Sequence, residues 1–129
     1  MAGQKLIYIV DDDPFINMLI VKRFTSGDYT LEAFKSGEDC LKAINNNPDL
    51  IILDYLFPEE DPKYMDGMEV FNRIKELRPG LPVIILSAQE KGEVVLDLAR
   101  KGIKDYVIKD SNLIKNLDEA IRDVFSRKS

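Results

Sequence analysis

Three aspartates, a serine and a lysine each close an apolar run in this chain. Asp11 and Asp12 follow Leu6-Ile7-Tyr8-Ile9-Val10, Asp54 follows Leu50-Ile51-Ile52-Leu53, Ser87 follows Val83-Ile84-Ile85-Leu86, and Lys109 follows Tyr106-Val107-Ile108. Such runs are strand-like, and in a parallel α/β sheet the carboxyl ends of the strands share one edge, where residues distant in sequence converge. Three carboxylates, a hydroxyl and an ammonium gathered there describe a phosphoryl-accepting aspartate with its metal ion. Each residue also has a plainer reading. Asp11 and Asp12 could be solvated loop acids beside an Asp13 helix cap, Asp54 turn chemistry before Pro58, and Ser87 a cap for a helix near Glu90. Lys109 could be an ordinary exposed lysine and Tyr106 an edge aromatic packed on the last helix.

Composition removes competing chemistries. The 129 residues contain no histidine, so a Ser-His-Asp triad, a Cys-His dyad and a His-ligated zinc site cannot be built. Any metal must be held by oxygen, which points to magnesium, calcium or manganese. Cys40, the single cysteine, allows no intrachain disulfide, and its place in Asp39-Cys40-Leu41-Lys42-Ala43-Ile44 suits a core-facing helix position. A net charge of −5 and a pI near 4.8 argue against direct nucleic acid binding. No apolar stretch approaches the roughly 20 residues that span a bilayer, and the N-terminus lacks a secretory signal, so no membrane contact and a cytoplasmic location are expected.

The elements that must position these residues alternate along the chain. The first strand is expected over Leu6 to Val10, and Asp13-Pro14 then starts a helix to Phe24 with an apolar stripe of Phe15, Leu19 and Phe24. A second strand covers Tyr29 to Phe34. Ser36 with Asp39 resembles a capping box for a helix stopping near Asn45-Asn46-Asn47-Pro48. The third strand covers Asp49 to Asp54 and the third helix Gly67 to Leu77, ended by Arg78-Pro79-Gly80. Strand four (Val83 to Leu86), a helix from Glu90 to Lys101 stopped by Gly102, strand five (Ile103 to Ile108) and a helix from about Asn112 to Phe125 complete five βα units. The charges of Lys91 to Lys104 read as a solvated helix face. With 45% hydrophobic residues the chain suits one domain, and right-handed crossovers favour a doubly wound sheet over a barrel.

Over nearly its whole length the chain resembles the receiver domain of bacterial two-component response regulators. The resemblance rests on Val10-Asp11-Asp12-Asp13-Pro14, Asp54-Tyr55-Leu56-Phe57-Pro58, Asp66-Gly67 opening a helix, Ser87-Ala88, and Tyr106-Val107-Ile108-Lys109. It implies a single-domain flavodoxin-like (βα)5 fold over residues 1–129, a doubly wound parallel sheet of strand order 2-1-3-4-5. It implies that Asp54 is the phosphoacceptor, and that Asp11, Asp12, Asp54 and the backbone carbonyl of Leu56 hold Mg²⁺, with Mn²⁺ a substitute. Lys109 would pair with a phosphoryl oxygen, Ser87 would donate to it, and Ser87 with Tyr106 would form the switch. The implied donor is a sensor histidine kinase or phosphotransfer protein. The face of helix four, strand five and helix five is the implied partner or homodimer surface. The protein would not be an enzyme in the ordinary sense, although slow hydrolysis of its own acyl phosphate is implied.

Several positions depart from the family pattern. Glu59 to Asp66 lengthen the connection after Asp54, as a lid that shapes kinase choice or acyl-phosphate lifetime or as a neutral extension. Asp110 stands where the family usually has proline, so a trans Lys109-Asp110 bond is expected, because a non-proline cis bond costs about 3 kcal/mol. Leu56 and Gln89 occupy positions that tune water access in the family. Two other classes compete. A haloacid-dehalogenase-type phosphatase needs a second acid two residues after its nucleophile, where this chain has Leu56. A pseudo-receiver would keep the fold as an interaction module independent of phosphorylation.

Overall fold

The apolar runs form five parallel strands in the order β2-β1-β3-β4-β5, with β1 spanning Lys5–Val10, β2 Tyr29–Phe34, β3 Leu50–Asp54, β4 Val83–Ser87 and β5 Asp105–Ile108. The computed structural model describes residues 4–55, 67–88 and 92–126. Helices α1 (Pro14–Phe24), α2 (Gly37–Lys42), α3 (Gly67–Leu77), α4 (Gly92–Arg100) and α5 (Leu113–Ser126) connect the strands or follow them. This is the expected single-domain doubly wound (βα)5 architecture, with the strand order 2-1-3-4-5 that the resemblance implied.

Local chemistry explains the boundaries. Asp13 caps α1 by accepting from the Phe15 amide at 2.9 Å, with Pro14 at the first helical position. Ser36 caps α2 by accepting from the Asp39 amide. The second helix is shorter than expected: it stops at Lys42, a 3₁₀ turn follows over Ile44–Asn46, and Asn47 closes it in the left-handed region at φ 61°. Gly102, at φ 96°, ends α4 as its sequence position suggested. Strand five begins at Asp105 rather than Ile103, and strand three at Leu50, because the Asp49 side chain instead accepts from the Leu6 amide at 2.8 Å. The Glu90 start expected for α4 lies outside the described residues.

Two core layers follow from the period-two alternation of the central strands. Tyr8, Val10, Ile51, Leu53, Val83 and Ile85 face α2, α3 and α4, where they meet Phe71, Ile74 and Leu98. Ile7, Ile9, Leu50, Ile52, Ile84 and Leu86 face α1 and α5, where they meet Ile20, Phe24, Leu117 and Ile121. Cys40 is fully buried in the first layer, as its helical position suggested. Burial pushes its thiol up to about 12. The stripe expected on α1 is corrected in part. Phe24 is buried as expected and Leu19 is half-buried, but Phe15 is 60% exposed, as is the neighbouring Met18 at 52%, and Asn17 and Ile20 turn inward instead. A nearly all-apolar helix offers several candidate stripes, and here the connection to Asp11 decides which one faces inward. Among the described residues no helix is long and apolar enough to cross a membrane.

Candidate functional site

The carboxyl edge of the sheet is assembled by backbone bonds between neighbouring strand ends. The Asp11 amide donates to the Phe34 carbonyl at the end of β2, the Tyr55 amide donates to Leu86 in β4, and the Lys109 amide donates to Ser87. In the β3–β4 register Asp54 lies opposite Leu86, and in the β4–β5 register Ser87 lies opposite Ile108. The residues that close the four apolar runs therefore meet at one edge.

Lys109 is the hub. Its Nζ lies 2.7 Å from Asp11 Oδ2 and 2.8 Å from Asp54 Oδ1. Asp11 and Asp54 are almost fully buried, whereas Asp12 is exposed at the rim. Carboxylate oxygens of Asp11, Asp12 and Asp54 all lie within 4.8 Å of one another. Burial, reinforced by the Asp11 charge, pushes Asp54 up to about 6 despite Lys109. Burial also raises Asp11, against the pull of Lys109 and of the Asp13 amide that donates to its Oδ1 at 2.9 Å. Burial works against the Lys109 ammonium, but its hydrogen bonds to Asp11 and Asp54 outweigh that and hold its pKa above the ordinary lysine value.

Three carboxylates face one ammonium, so the cluster carries more negative charge than its protein partners neutralise. Clustered hard oxygen donors with uncompensated negative charge fit a magnesium ion. A cleft of about 20 Å³ runs from these acids past Lys35, Ser36 and Gly37, room for an ion or a water.

The remaining expected residues divide. Ser87 is fully buried at the end of β4. Tyr106 is half-buried and packs with the core layer on the α2, α3 and α4 side, not on the last helix. Leu56, Gln89 and the Glu59 to Asp66 extension lie outside the described residues. The Lys109-Asp110 bond is trans, and there is no cis peptide among the described residues.

One supporting residue was not anticipated. Asn17 donates from Nδ2 to the Asp11 carbonyl at 2.8 Å and is 7% exposed. It holds the chain at the point where Asp11 leaves β1. Its signal in the sequence is a lone amide inside the apolar run of α1, three residues before the buried Ile20.

Comparison with known proteins bears on the same residues. A family model described as the response regulator receiver domain matches residues 7–122. The transcriptional regulatory protein GlrR of Escherichia coli K12 is 32% identical over 119 residues, covering 89% of this chain and 26% of that protein, so the chain spans about a quarter of that regulator's length. Among solved structures, the N-terminal domain of a response regulator receiver protein from Methanoculleus marisnigri JR1 is 34% identical with a TM-score of 0.69, covering 95% of this chain and 98% of that one. TrrA from Thermotoga maritima, solved in complex with Mg(2+)-BeF, is 28% identical with a TM-score of 0.77, covering 95% of this chain and all of that one, 100%.

Proposed function

The chain belongs to the response regulator receiver domain family, and from that premise we propose that it is a phosphorylation-dependent switch in which Asp54 takes a phosphoryl group from a phosphohistidine donor. The observation that supports this most is the Lys109 ammonium, 2.8 Å from the Asp54 carboxylate at the carboxyl edge of the sheet. An Asp54 oxygen attacks phosphorus in line. A P–O bond of an acyl phosphate forms as the donor's N–P bond breaks, and the released imidazole takes up a proton. Because these 129 residues contain no histidine, the donor group lies outside them: on a sensor histidine kinase, on a phosphotransfer protein, or in a small acyl phosphate in its place.

Asp11, Asp12 and Asp54 would hold the metal, with the Leu56 carbonyl as a further oxygen donor; the Mg(2+)-BeF complex of TrrA supports this assignment. Bound there, magnesium, or manganese in its place, would neutralise charge on the transferred oxygens. Lys109 would shift its contact from Asp54 to a phosphoryl oxygen, and the Ser87 hydroxyl would donate to another. Ser87 and Tyr106 would then favour one of two arrangements of the α4, β5 and α5 surface, presented to a partner or a second copy. Slow attack of water on the acyl phosphate resets the switch.

The test is intact mass after incubation with acetyl phosphate and Mg²⁺. One added phosphoryl group is expected, absent in Asp54→Asn and in chelator. No gain with acetyl phosphate and none with a phosphorylated histidine donor would overturn the proposal in favour of an interaction module independent of phosphorylation.

A further inference from the structure

The acid cleft has two walls, and one side chain spans their bases. Asp11 and Asp12, following β1, form one wall; Lys35 and Ser36, following β2, form the other. Asn17 of α1 donates from Nδ2 to the Asp11 carbonyl at 2.8 Å and, in a longer second contact at 3.4 Å, to the Phe34 carbonyl that precedes Lys35. The Asp11 amide donates to that same Phe34 carbonyl at 3.1 Å. One amide group therefore ties together the carbonyls at the ends of β1 and β2, where the chain turns into the cleft. The Asn17 side chain is almost fully buried, and among the described residues its Oδ1 accepts no hydrogen bond. A buried acceptor without a donor opposes folding. The amide thus gives up one buried acceptor to hold two carbonyls, and both belong to the walls of the cleft.

We propose that Asn17 is a positioning residue that sets the width of this cleft and, through it, the preference of the acids for Mg²⁺ over the larger Ca²⁺; this rests on Asp11, Asp12 and Asp54 being the metal ligands. Mg²⁺ needs near-octahedral oxygens at about 2.0–2.1 Å, whereas Ca²⁺ accepts more ligands at roughly 2.3–2.6 Å in flexible geometry. Discrimination between them therefore depends on how rigidly the oxygens are spaced. Asp54 is fixed by the end of β3 within the sheet, and the Asp11 carboxylate by Lys109 on Oδ2 and the Asp13 amide on Oδ1. The Asn17 amide holds the Asp11 main chain instead. Asp12, exposed at the rim, follows directly on the peptide that Asn17 grips. Releasing that peptide lets the Asp11-Asp12 wall drift from Lys35-Ser36, which costs the small, strict ion more than the large, tolerant one.

Calorimetric titration of the full chain with Mg²⁺ and separately with Ca²⁺, without phosphoryl donor, reads the two dissociation constants. In Asn17→Leu, which keeps the volume and removes the donor, the Mg²⁺ constant should rise about tenfold and the Ca²⁺ constant about twofold, so selectivity falls about fivefold. Asn17→Ala should show the same fall. Ile20→Ala, one turn further along α1 and fully buried, tests general loosening. It lowers stability, yet should leave the selectivity within about twofold of the native value. An unchanged ratio in Asn17→Leu would overturn the proposal, because a fall in Asn17→Ala alone is then the effect of a cavity. So would an equal fall in Ile20→Ala. Absence of Mg²⁺ binding by the native chain would instead remove the metal ligands themselves, and this proposal with them.

Discussion

Asp54 is an acid held where its ionised form is disfavoured, and stability should record that. Its folded pKa of about 6 lies above the model-compound value of 3.8, so the folded chain binds more protons than the unfolded one between about pH 4 and pH 6. The contribution is fully present below pH 4 and is lost as the pH rises through 6. In chelator, Asp54→Asn is therefore expected to stabilise the chain at pH 7.5, by up to about 3 kcal/mol, and the gain should vanish toward pH 4; urea titrations across that range measure it. Lys109 acts in the opposite sense. Lys109→Met leaves Asp11 and Asp54 buried without their ammonium and should cost about 3 kcal/mol in chelator. Magnesium should recover more stability in this variant than it adds to the native chain, because the metal then meets no competing cation at those oxygens. Equal magnesium stabilisation of both chains would count against the acids as its ligands.

At the scale of elements, α1 separates what the sequence discloses from what it hides. Ile20 is fully buried, whereas Phe15 and Met18 are largely exposed. Ile20→Ala should cost about 3 kcal/mol in urea unfolding, while Phe15→Ser with Met18→Ser should change stability by less than about 1 kcal/mol. The start of α1 was legible because Asp13 and Pro14 act locally, and its end because Ser26-Gly27-Asp28 breaks the helical pattern; the structure adds that the Thr25 amide and hydroxyl both donate to the Val21 carbonyl. Its buried face was not, since Asn17 is drawn inward by the Asp11 carbonyl, a contact that exists only after β1 and α1 have packed. The strand ends were legible for the same local reason, and they carried Asp11, Asp54, Ser87 and Lys109 to one edge. The glycines show what pattern cannot reveal. A Cβ on Gly67 would lie 2.9 Å from the Tyr55 Cα and 2.7 Å from its ring, so Gly67→Ala should destabilise by about 1–2 kcal/mol despite the better helix propensity of alanine. Nothing near Gly67 in sequence announces that approach.

For the whole molecule, burial is graded from the centre of the sheet outward. Every residue of β3 and β4 is buried, while β2 and β5 each have one buried residue, Leu31 and Val107. Native-state hydrogen exchange should therefore find the slowest amides in β1, β3 and β4, with β5 opening at lower free energy; slowest exchange in β5 would contradict this order. The strand that ends before Lys109 is thus one of the two less buried edge strands, which suits the two arrangements proposed for that surface. The central layers also hide the one thiol. Cys40 is fully buried, with its pKa pushed up to about 12, so it presents almost no thiolate at neutral pH. The folded native chain is consequently a silent background for maleimide labelling. A cysteine introduced at the exposed Leu96 of α4 would carry the only reactive sulfur, and one fluorophore there would report on that helix without first removing Cys40.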